Sequence, residues 1–151
     1  MLNQNVQFST GAGIGNILFA DAVDSAALTR RNLTLDAGAG NIDFAKKVGN
    51  ANQLDALVIS SANNVTAHDT INAASLTQSA GTGTSSFQAI NTNGLVGPGV
   101  DLNGANFVLN GPVVTTNTGG DMHVNNLGTL TIKNDVTLNG KFVQDGAGVV
   151  V

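Results

Sequence analysis

The side chains of this sequence that could carry out chemistry are its ten acidic residues, all of them Asp, and its two histidines. Cleavage of a carbohydrate needs two carboxylates, or a carboxylate and a base, held close together. Asp101 and Asp121 are the candidate pair for such a role. Asp36 and Asp145 are far apart in the chain and follow strand-like segments, which favours a role in capping turns. We therefore expect no catalytic residues and no enzymatic activity.

Metal and cofactor sites are also not predicted. Asp121 and His123 could share one face of a strand, but no third ligand is evident, and His68 lies elsewhere. Cysteine is absent, which excludes thiolate metal sites, thiol nucleophiles and disulfides. Residues 38–43 loosely resemble a calcium-binding nonapeptide, but the match does not recur in tandem. The glycine-rich residues 11–15 open no helix, so they predict a turn and not a phosphate-binding loop.

The charge of the chain is low, with 11% charged residues and a formal net charge of −4. The six Lys and Arg residues form no basic patch, so we expect no nucleic-acid partner. No apolar run approaches the ~20 residues that span a bilayer, so we expect no membrane insertion. Abundant Asn, Gly, Thr and Val indicate strands and turns.

The elements that must position these side chains are set by an internal repeat. Seven segments align without gaps, and their starts are separated by 19 to 27 residues. The first position of every segment is apolar, the third is apolar in five segments, and the position between them is mostly polar or β-branched. Residues two apart share a strand face, so the first and third positions predict an inward-facing stripe. The segments begin at Val6, Leu33, Leu57, Leu76, Val100, Met122 and Phe142.

The fourth position of each segment predicts a corner. It is always Ser, Asp or Asn, whose short side chains can bond the local backbone and turn the chain. Most segments then begin a second short strand, and a third stretch of variable length follows. The longest insertions lie in residues 22–32 and 91–99, which makes them the places where specificity could reside. The fourth-position residues are Ser9, Asp36, Ser60, Ser79, Asn103, Asn125 and Asp145.

This pattern predicts an all-β fold, a right-handed parallel β-helix (β-solenoid) with about six to seven coils of about 23 residues. An antiparallel sandwich is the alternative, but it does not need the same residue class at the same corner in every unit. We expect residues 1–151 to form a single β-solenoid repeat domain. Because neither terminus resembles a cap or a signal peptide, we expect the sequence to be a fragment of a much larger protein.

Units such as residues 33–44, followed by Lys47-Val48-Gly49, resemble the repeats of filamentous-haemagglutinin-like and autotransporter-like bacterial surface adhesins. The resemblance is compositional and covers nearly the whole chain. It implies a β-helix, export to the bacterial cell surface, and a role in attachment or as a stalk. The partners that it implies are components or glycans of host or neighbouring cells.

Three functions follow as alternatives. The first is a structural and adhesive repeat module of a secreted or cell-surface protein. The second is a carbohydrate-active or carbohydrate-binding β-helix domain. The third is a self-assembling rod that associates end to end, which the apolar terminal segments and the low net charge favour.

Overall fold

The computed structural model describes residues 1–95, 97–116 and 118–151, and these residues form strands and turns without a helix. Short alternating strands form because apolar and polar residues alternate with a period of two and Gly, Asn and Ser interrupt each run. The strands of the described residues are, in chain order, β1 (Val6–Ser9), β2 (Ile17–Phe19), β3 (Leu33–Asp36), β4 (Ile42–Phe44), β5 (Leu54–Ser61), β6 (Val65–Ala67), β7 (Ile71–Gln78), β8 (Thr84–Phe87), β9 (Ile90–Thr92), β10 (Val100–Gly104), β11 (Asn106–Leu109), β12 (Val113–Thr115), β13 (Met122–Asn126), β14 (Thr129–Ile132), β15 (Val136–Leu138), β16 (Phe142–Gln144) and β17 (Val149–Val150).

The strands stack in parallel, coil upon coil, which confirms the predicted β-solenoid. The first sheet has the order β1-β3-β5-β7-β10-β13-β16, and the second has the order β17-β14-β11-β8-β6-β4-β2. The first positions of the seven segments face one another across every adjacent pair of strands, from Val6 opposite Leu33 to Met122 opposite Phe142. The alignment made on the sequence is therefore the register of the first sheet.

One fourth-position assignment is wrong by a single residue. The register shifts between Leu35 and Asp36, so Asp36 pairs with Ser61 and not with Ser60. A bulge of this kind places one additional residue in β5 before the corner. The predicted second strands are confirmed, and β8 adds the copy that the sequence pattern did not show.

A third parallel sheet occupies the stretch that was expected to carry only variable loops. It consists of β9, β12 and β15 together with the first residues of β7, and isolated bridges continue it toward the first coil. Its inward-facing position is apolar in every coil that it joins, so the third segment contributes a regular wall of the core. The residues of this position are Val23, Val48, Ile71, Ile90, Val113 and Val136.

The three sheets enclose one apolar interior. Leu33, Leu57 and Leu76 are fully buried on the first sheet, and the second sheet contributes large side chains such as Phe44 and Phe107. Like side chains stack from coil to coil because the register repeats, and the rings of Phe19 and Phe44 lie parallel with centroids 5.2 Å apart. Strand spacing of about 4.8 Å per coil gives the stack a length on the order of 30 Å.

A ladder of asparagines joins the coils at the start of the second sheet. The side-chain oxygens of Asn16, Asn41 and Asn64 each accept the backbone N–H of the equivalent residue in the following coil, at 2.8–3.1 Å. Asn106 accepts the Thr129 N–H in the same way at 2.9 Å. Each such bond contributes about 0.5–1.5 kcal/mol net, so the ladder fixes the register at this corner as well as in the sheets.

Candidate functional site

Three titratable side chains on the outer face of the first sheet meet across consecutive coils. Asp101 on β10 lies directly opposite His123 on β13 in the parallel register, and Asp145 follows β16. The Nδ1 atom of His123 is 3.1 Å from Asp101 Oδ1, and its Nε2 atom is 3.0 Å from Asp145 Oδ1. We call these three residues the Asp-His-Asp cluster. It joins residues that are about one repeat length apart in the sequence.

The electrostatics of the cluster favour a protonated imidazole. The hydrogen bond to Asp145 is the main cause that raises the pKa of His123 above its ordinary value; Asp101 adds to this, and partial burial opposes it. Only the imidazolium form can donate a hydrogen bond from both ring nitrogens, which is what two flanking carboxylates require. When His123 is protonated, each ring nitrogen donates to one carboxylate, and the cluster links three coils electrostatically.

The other acidic candidates are not part of this cluster. Asp121 lies just before β13, and its Oδ1 accepts the backbone N–H of Lys141 in the next coil at 2.6 Å. His123 thus pairs with residues one coil away and not with its near neighbour in sequence. His68 lies 3.4 Å from Asp43, and both side chains are about half exposed, where an ion pair contributes little. Across the described residues, no three potential ligands are grouped so that they could hold a metal ion.

The predicted corner role is confirmed for the first two coils. Ser9 Oγ accepts the Gly11 N–H, and Asp36 Oδ1 accepts the Gly38 N–H, both at 3.2 Å. Gly38 has a φ of +56°, which is the left-handed conformation that glycine adopts without strain. The hydroxyl of Ser61 donates to Asp36 at 2.6 Å and is the main cause that lowers the pKa of this carboxyl group.

The same corner role is wrong for two later coils. The Asn103 amide donates to Asp101 Oδ1 at 3.1 Å, so it supports the Asp-His-Asp cluster. Asp145 was predicted to cap its own corner, but its carboxylate bonds the His123 ring instead. Asp145 bonds His123 because an imidazolium is a stronger, charge-assisted partner than a local backbone N–H, and Asn103 bonds the Asp101 carboxylate for the same kind of reason.

A polar groove on the third sheet is the second candidate site. It has a volume of about 530 Å³, which lies within the usual range for ligand pockets. Val114 and small residues complete its lining, and none of the lining residues is charged. We call it the amide groove, because its polar surface comes mainly from the amides of Asn50, Gln53, Asn72, Asn91 and Asn93, with the hydroxyl of Thr116.

The amides in the floor of this groove are held by hydrogen bonds along the stack. Asn91 Nδ2 donates to Asn72 Oδ1 at 3.0 Å, and Asn72 Nδ2 donates to the Gly49 carbonyl at 3.1 Å. Gln53 Nε2 donates to the Ala73 carbonyl at 2.9 Å. These bonds fix the orientation of each amide before any ligand arrives.

A second depression, of about 400 Å³, adjoins the amide groove and shares Ala51 and Gln53 with it. Leu28 and Arg30, from the insertion at residues 22–32, line this depression. Leu28 is fully exposed and has a φ of +64°, an unfavourable conformation for a residue with a side chain. Residues held in such backbone conformations cluster at functional sites.

The sequence reasoning named the two insertions but not the groove between them. Asn93, from the insertion at residues 91–99, lines the amide groove, while the insertion at residues 22–32 borders it through the adjoining depression. A signal for the floor was present, because Asn72 and Asn91 occupy equivalent positions one coil apart. It was missed because the third segment was treated as irregular.

The fold defines this chain as a parallel β-solenoid. In comparisons with known proteins, no family model, no curated protein and no solved structure matches the sequence. A membrane-crossing helix is not found in the part of the chain that the structure describes.

Proposed function

We propose that this chain is a structural and adhesive repeat segment of a large, secreted or cell-surface bacterial protein, acting as a stalk or attachment scaffold. The observation that carries the proposal is the stack itself. The first inward position is apolar and in register over seven coils, and the second is apolar in five of them, while outward positions vary from Gln7 and Thr34 to Asp101 and Val143. A repeating interior with a variable surface is what an extended display scaffold requires.

The scaffold role is tested by removing one complete coil. Deletion of residues 57–75 joins Ala56 to Leu76, and the register places Leu76 directly above Leu57. Every remaining strand then keeps an equivalent neighbour. We expect a folded chain with the same circular dichroism per residue and a length shorter by about 4.8 Å in small-angle scattering.

A matched deletion of residues 57–69 provides the control, because it removes fewer residues but joins Ala56 to Thr70, which is not an equivalent position. It moves the buried Ile71 to the outward place of Val58 and Asn72 to the inward place of Ile59, and should prevent cooperative folding. If the whole-coil deletion also unfolds the chain, the coils do not act as interchangeable units, and the scaffold proposal fails.

The surface location is part of the same proposal. It is supported by the resemblance to surface adhesin repeats and by the lack of cysteine, which leaves the fold independent of the redox state of its compartment. Antibodies raised against residues 1–151 should label intact producing cells, and external protease should remove the label. Labelling that appears only after the cells are permeabilised would contradict this location.

A role without catalysis is proposed here as well. Its test is incubation with neutral and acidic polysaccharides, followed by assays for reducing ends and unsaturated products. Release of product that is lost in an Asp101→Asn variant would show instead that the Asp-His-Asp cluster is catalytic. Carbohydrate binding without cleavage is the second candidate function, and the amide groove is the observation that favours it.

Self-association along the stack is a third candidate, favoured by exposed apolar side chains on the outermost coils. Phe8, at an inward position of the first coil, is 44% exposed, and Phe142, at an inward position of the last coil, is 41% exposed. Further coils in a longer chain would cover the same surfaces. Sedimentation velocity over a wide concentration range should show concentration-dependent assembly of residues 1–151, and a monomer at all concentrations would remove this candidate.

A further inference from the structure

We infer that the amide groove binds an uncharged oligosaccharide, which lies along the stack of coils on the third sheet. The inference rests on the proposed adhesive role and names the ligand class and the surface through which attachment occurs. It is independent of whether the coils are interchangeable, so the deletion experiment and the binding experiment can fail separately.

The chemistry of the groove fits hydroxyl groups. A primary amide presents two donors and an accepting oxygen in one plane, and a sugar hydroxyl both donates and accepts. Asn72 and Asn91 therefore offer alternating donors and acceptors to a row of hydroxyls. The lining provides no cation for a phosphate, sulfate or carboxylate group, which disfavours an acidic ligand within the groove itself.

The dimensions of the groove fit a short chain of sugars. Its floor extends from Gly49 through Asn72 and Asn91 to Val114, which are equivalent positions on successive coils. Three coil rises of about 4.8 Å each give a floor length of about 14 Å. The amides repeat at the coil spacing, so a polymer with regularly spaced hydroxyls can use the same contact more than once.

Several polar groups of the groove remain available to a ligand. Asn72 and Gln53 use part of their bonding capacity to hold their orientation, as described above. In the described part of the chain, the exposed side chains of Asn50 and Asn93 take part in no hydrogen bond, so they can bond a ligand without losing an internal partner. Gly49, with a φ of +68°, allows the backbone to approach the Asn72 carbonyl closely at the floor of the groove.

Residues of the two insertions lie at the sides of the groove. Asn93 closes one side, and the adjoining depression with Leu28 and Arg30 continues the surface beyond Gln53. An apolar side chain in that position can pack against the less polar face of a sugar ring. Since neither Trp nor Tyr is present for stacking, we expect weak binding by a single segment, with a Kd on the order of 1 mM.

The test is a titration of the ¹⁵N-labelled chain, residues 1–151, followed by NMR. The neutral panel contains glucan, mannan and galactan oligosaccharides of three to six residues, and the acidic arm contains an oligogalacturonate. At least one neutral oligosaccharide should shift the side-chain amide signals of Asn72, Asn91 and Gln53. Signals of the first sheet, such as the Asn125 amide, should stay unchanged.

A double variant, Asn72→Thr with Asn91→Thr, identifies the groove as the binding surface. Threonine is suited to this outward position because Thr137 occupies it in a later coil. Removing two amides should weaken binding of the neutral ligand by about tenfold or more. The matched control, Asn125→Thr, changes the same residue type at an exposed position of another sheet and should bind as the unaltered chain does.

Four results would overturn the inference. The first is the absence of shifts with every neutral oligosaccharide at concentrations well above the expected Kd. The second is binding of the acidic oligosaccharide alone, lost on Arg30→Gln and retained in the double variant. The third is shifts of the groove signals that depend on protein concentration without sugar, which would identify a second copy as the occupant. The fourth is full binding by a folded double variant.

Discussion

Gln78 occupies a position of the core that is otherwise apolar on neighbouring coils. It lies between Ile59 and Leu102 in the register of the first sheet and has no exposed surface. Neither its amide oxygen nor its amide nitrogen has a hydrogen-bond partner. A buried polar group without a partner costs about 1–3 kcal/mol, so the Gln78→Met variant should be more stable than the unaltered chain by about that amount.

Methionine is the most informative replacement because it has nearly the same length as glutamine and no strong polar group. The substitution therefore changes desolvation and hydrogen bonding while it leaves the packed volume nearly constant. For a chain of this size, each kcal/mol corresponds to a rise of about 2–4 °C in Tm. Calorimetry measures this rise, and urea unfolding followed by circular dichroism should show a higher midpoint with an unchanged slope.

Gln144 supplies the matched control, since it stands in the same position of the repeat three coils later. Its Nε2 atom donates to Asn126 Oδ1 at 2.7 Å and to the Gly146 carbonyl at 3.1 Å. The Gln144→Met variant loses these bonds, and should be less stable by about 0.5–1.5 kcal/mol for each. The same substitution should therefore raise the free energy of unfolding at position 78 and lower it at position 144.

The result that would refute this reasoning is a loss of stability in Gln78→Met. A decrease of more than about 1 kcal/mol would mean that the buried amide has a partner, such as an internal water molecule. A decrease of similar size at both positions would mean that glutamine is favoured there for its shape. In either case, the missing hydrogen-bond partners of the Gln78 amide would not determine how Gln78 contributes to stability.

Three further predictions concern the clusters and the packing of coils. Asp145→Asn should lower the pKa of His123 in an NMR titration, because the hydrogen bond to Asp145 is the main cause that raises this pKa. The pKa of His123 is higher in the folded chain than in the unfolded chain, so the stabilisation from its protonated form is complete below the unfolded pKa and is lost as pH rises through the folded pKa. The total contribution to the free energy of unfolding should be below about 1 kcal/mol. Ser61→Ala should raise the pKa of Asp36 toward its ordinary value, as measured by carboxyl ¹³C shifts. When the pH is lowered, the variant should therefore lose the stabilisation from the Asp36 carboxylate at a higher pH than the unaltered chain does. Gly40→Ala would place a methyl group 2.0 Å from a carbonyl oxygen of the preceding coil, and should lower the free energy of unfolding by about 1–3 kcal/mol in urea.

The first sheet could be predicted from the sequence because two constraints act on it together. Its inward positions are mostly apolar, and Ser, Asp or Asn always stands at the fourth position, so the segments from Val6 to Phe142 align without gaps. Parallel stacking then converts that alignment directly into register. The single wrong residue, Ser60 in place of Ser61, falls at a bulge, where a strand gains a residue without changing the apolar pattern before it.

The third sheet could not be predicted in the same way, because the loops before it differ in length. Its inward position is apolar from Val23 to Val136, but insertions shift that position relative to the first sheet from coil to coil. An alignment anchored on the first strands therefore places these residues in different columns. The floor of the amide groove lies on this sheet, so its residues were not recognised together.

The Asp-His-Asp cluster was missed for a different reason. Each acid was judged by its neighbours in sequence, which favoured Asp121 as the partner of His123 and a corner role for Asp145. In a stack of coils, the closest side chains are those one turn away. Asp101 and His123 are 22 residues apart and face each other directly. A search for charged residues separated by one repeat length would have identified this pair from the sequence.

The separation of a fixed interior from a variable exterior also explains why the groove can evolve independently of the fold. Inward residues are held by the coils on both sides, so a change there disturbs three coils at once. Residues 26–30 of the first insertion border the adjoining depression and include no buried side chain, whereas Val23 and Asn91 belong to the third sheet. Replacement of residues 26–30 by a short turn should therefore alter ligand binding while it leaves the cooperative unfolding of the stack intact, and loss of the fold on this replacement would show that the segment is part of the core.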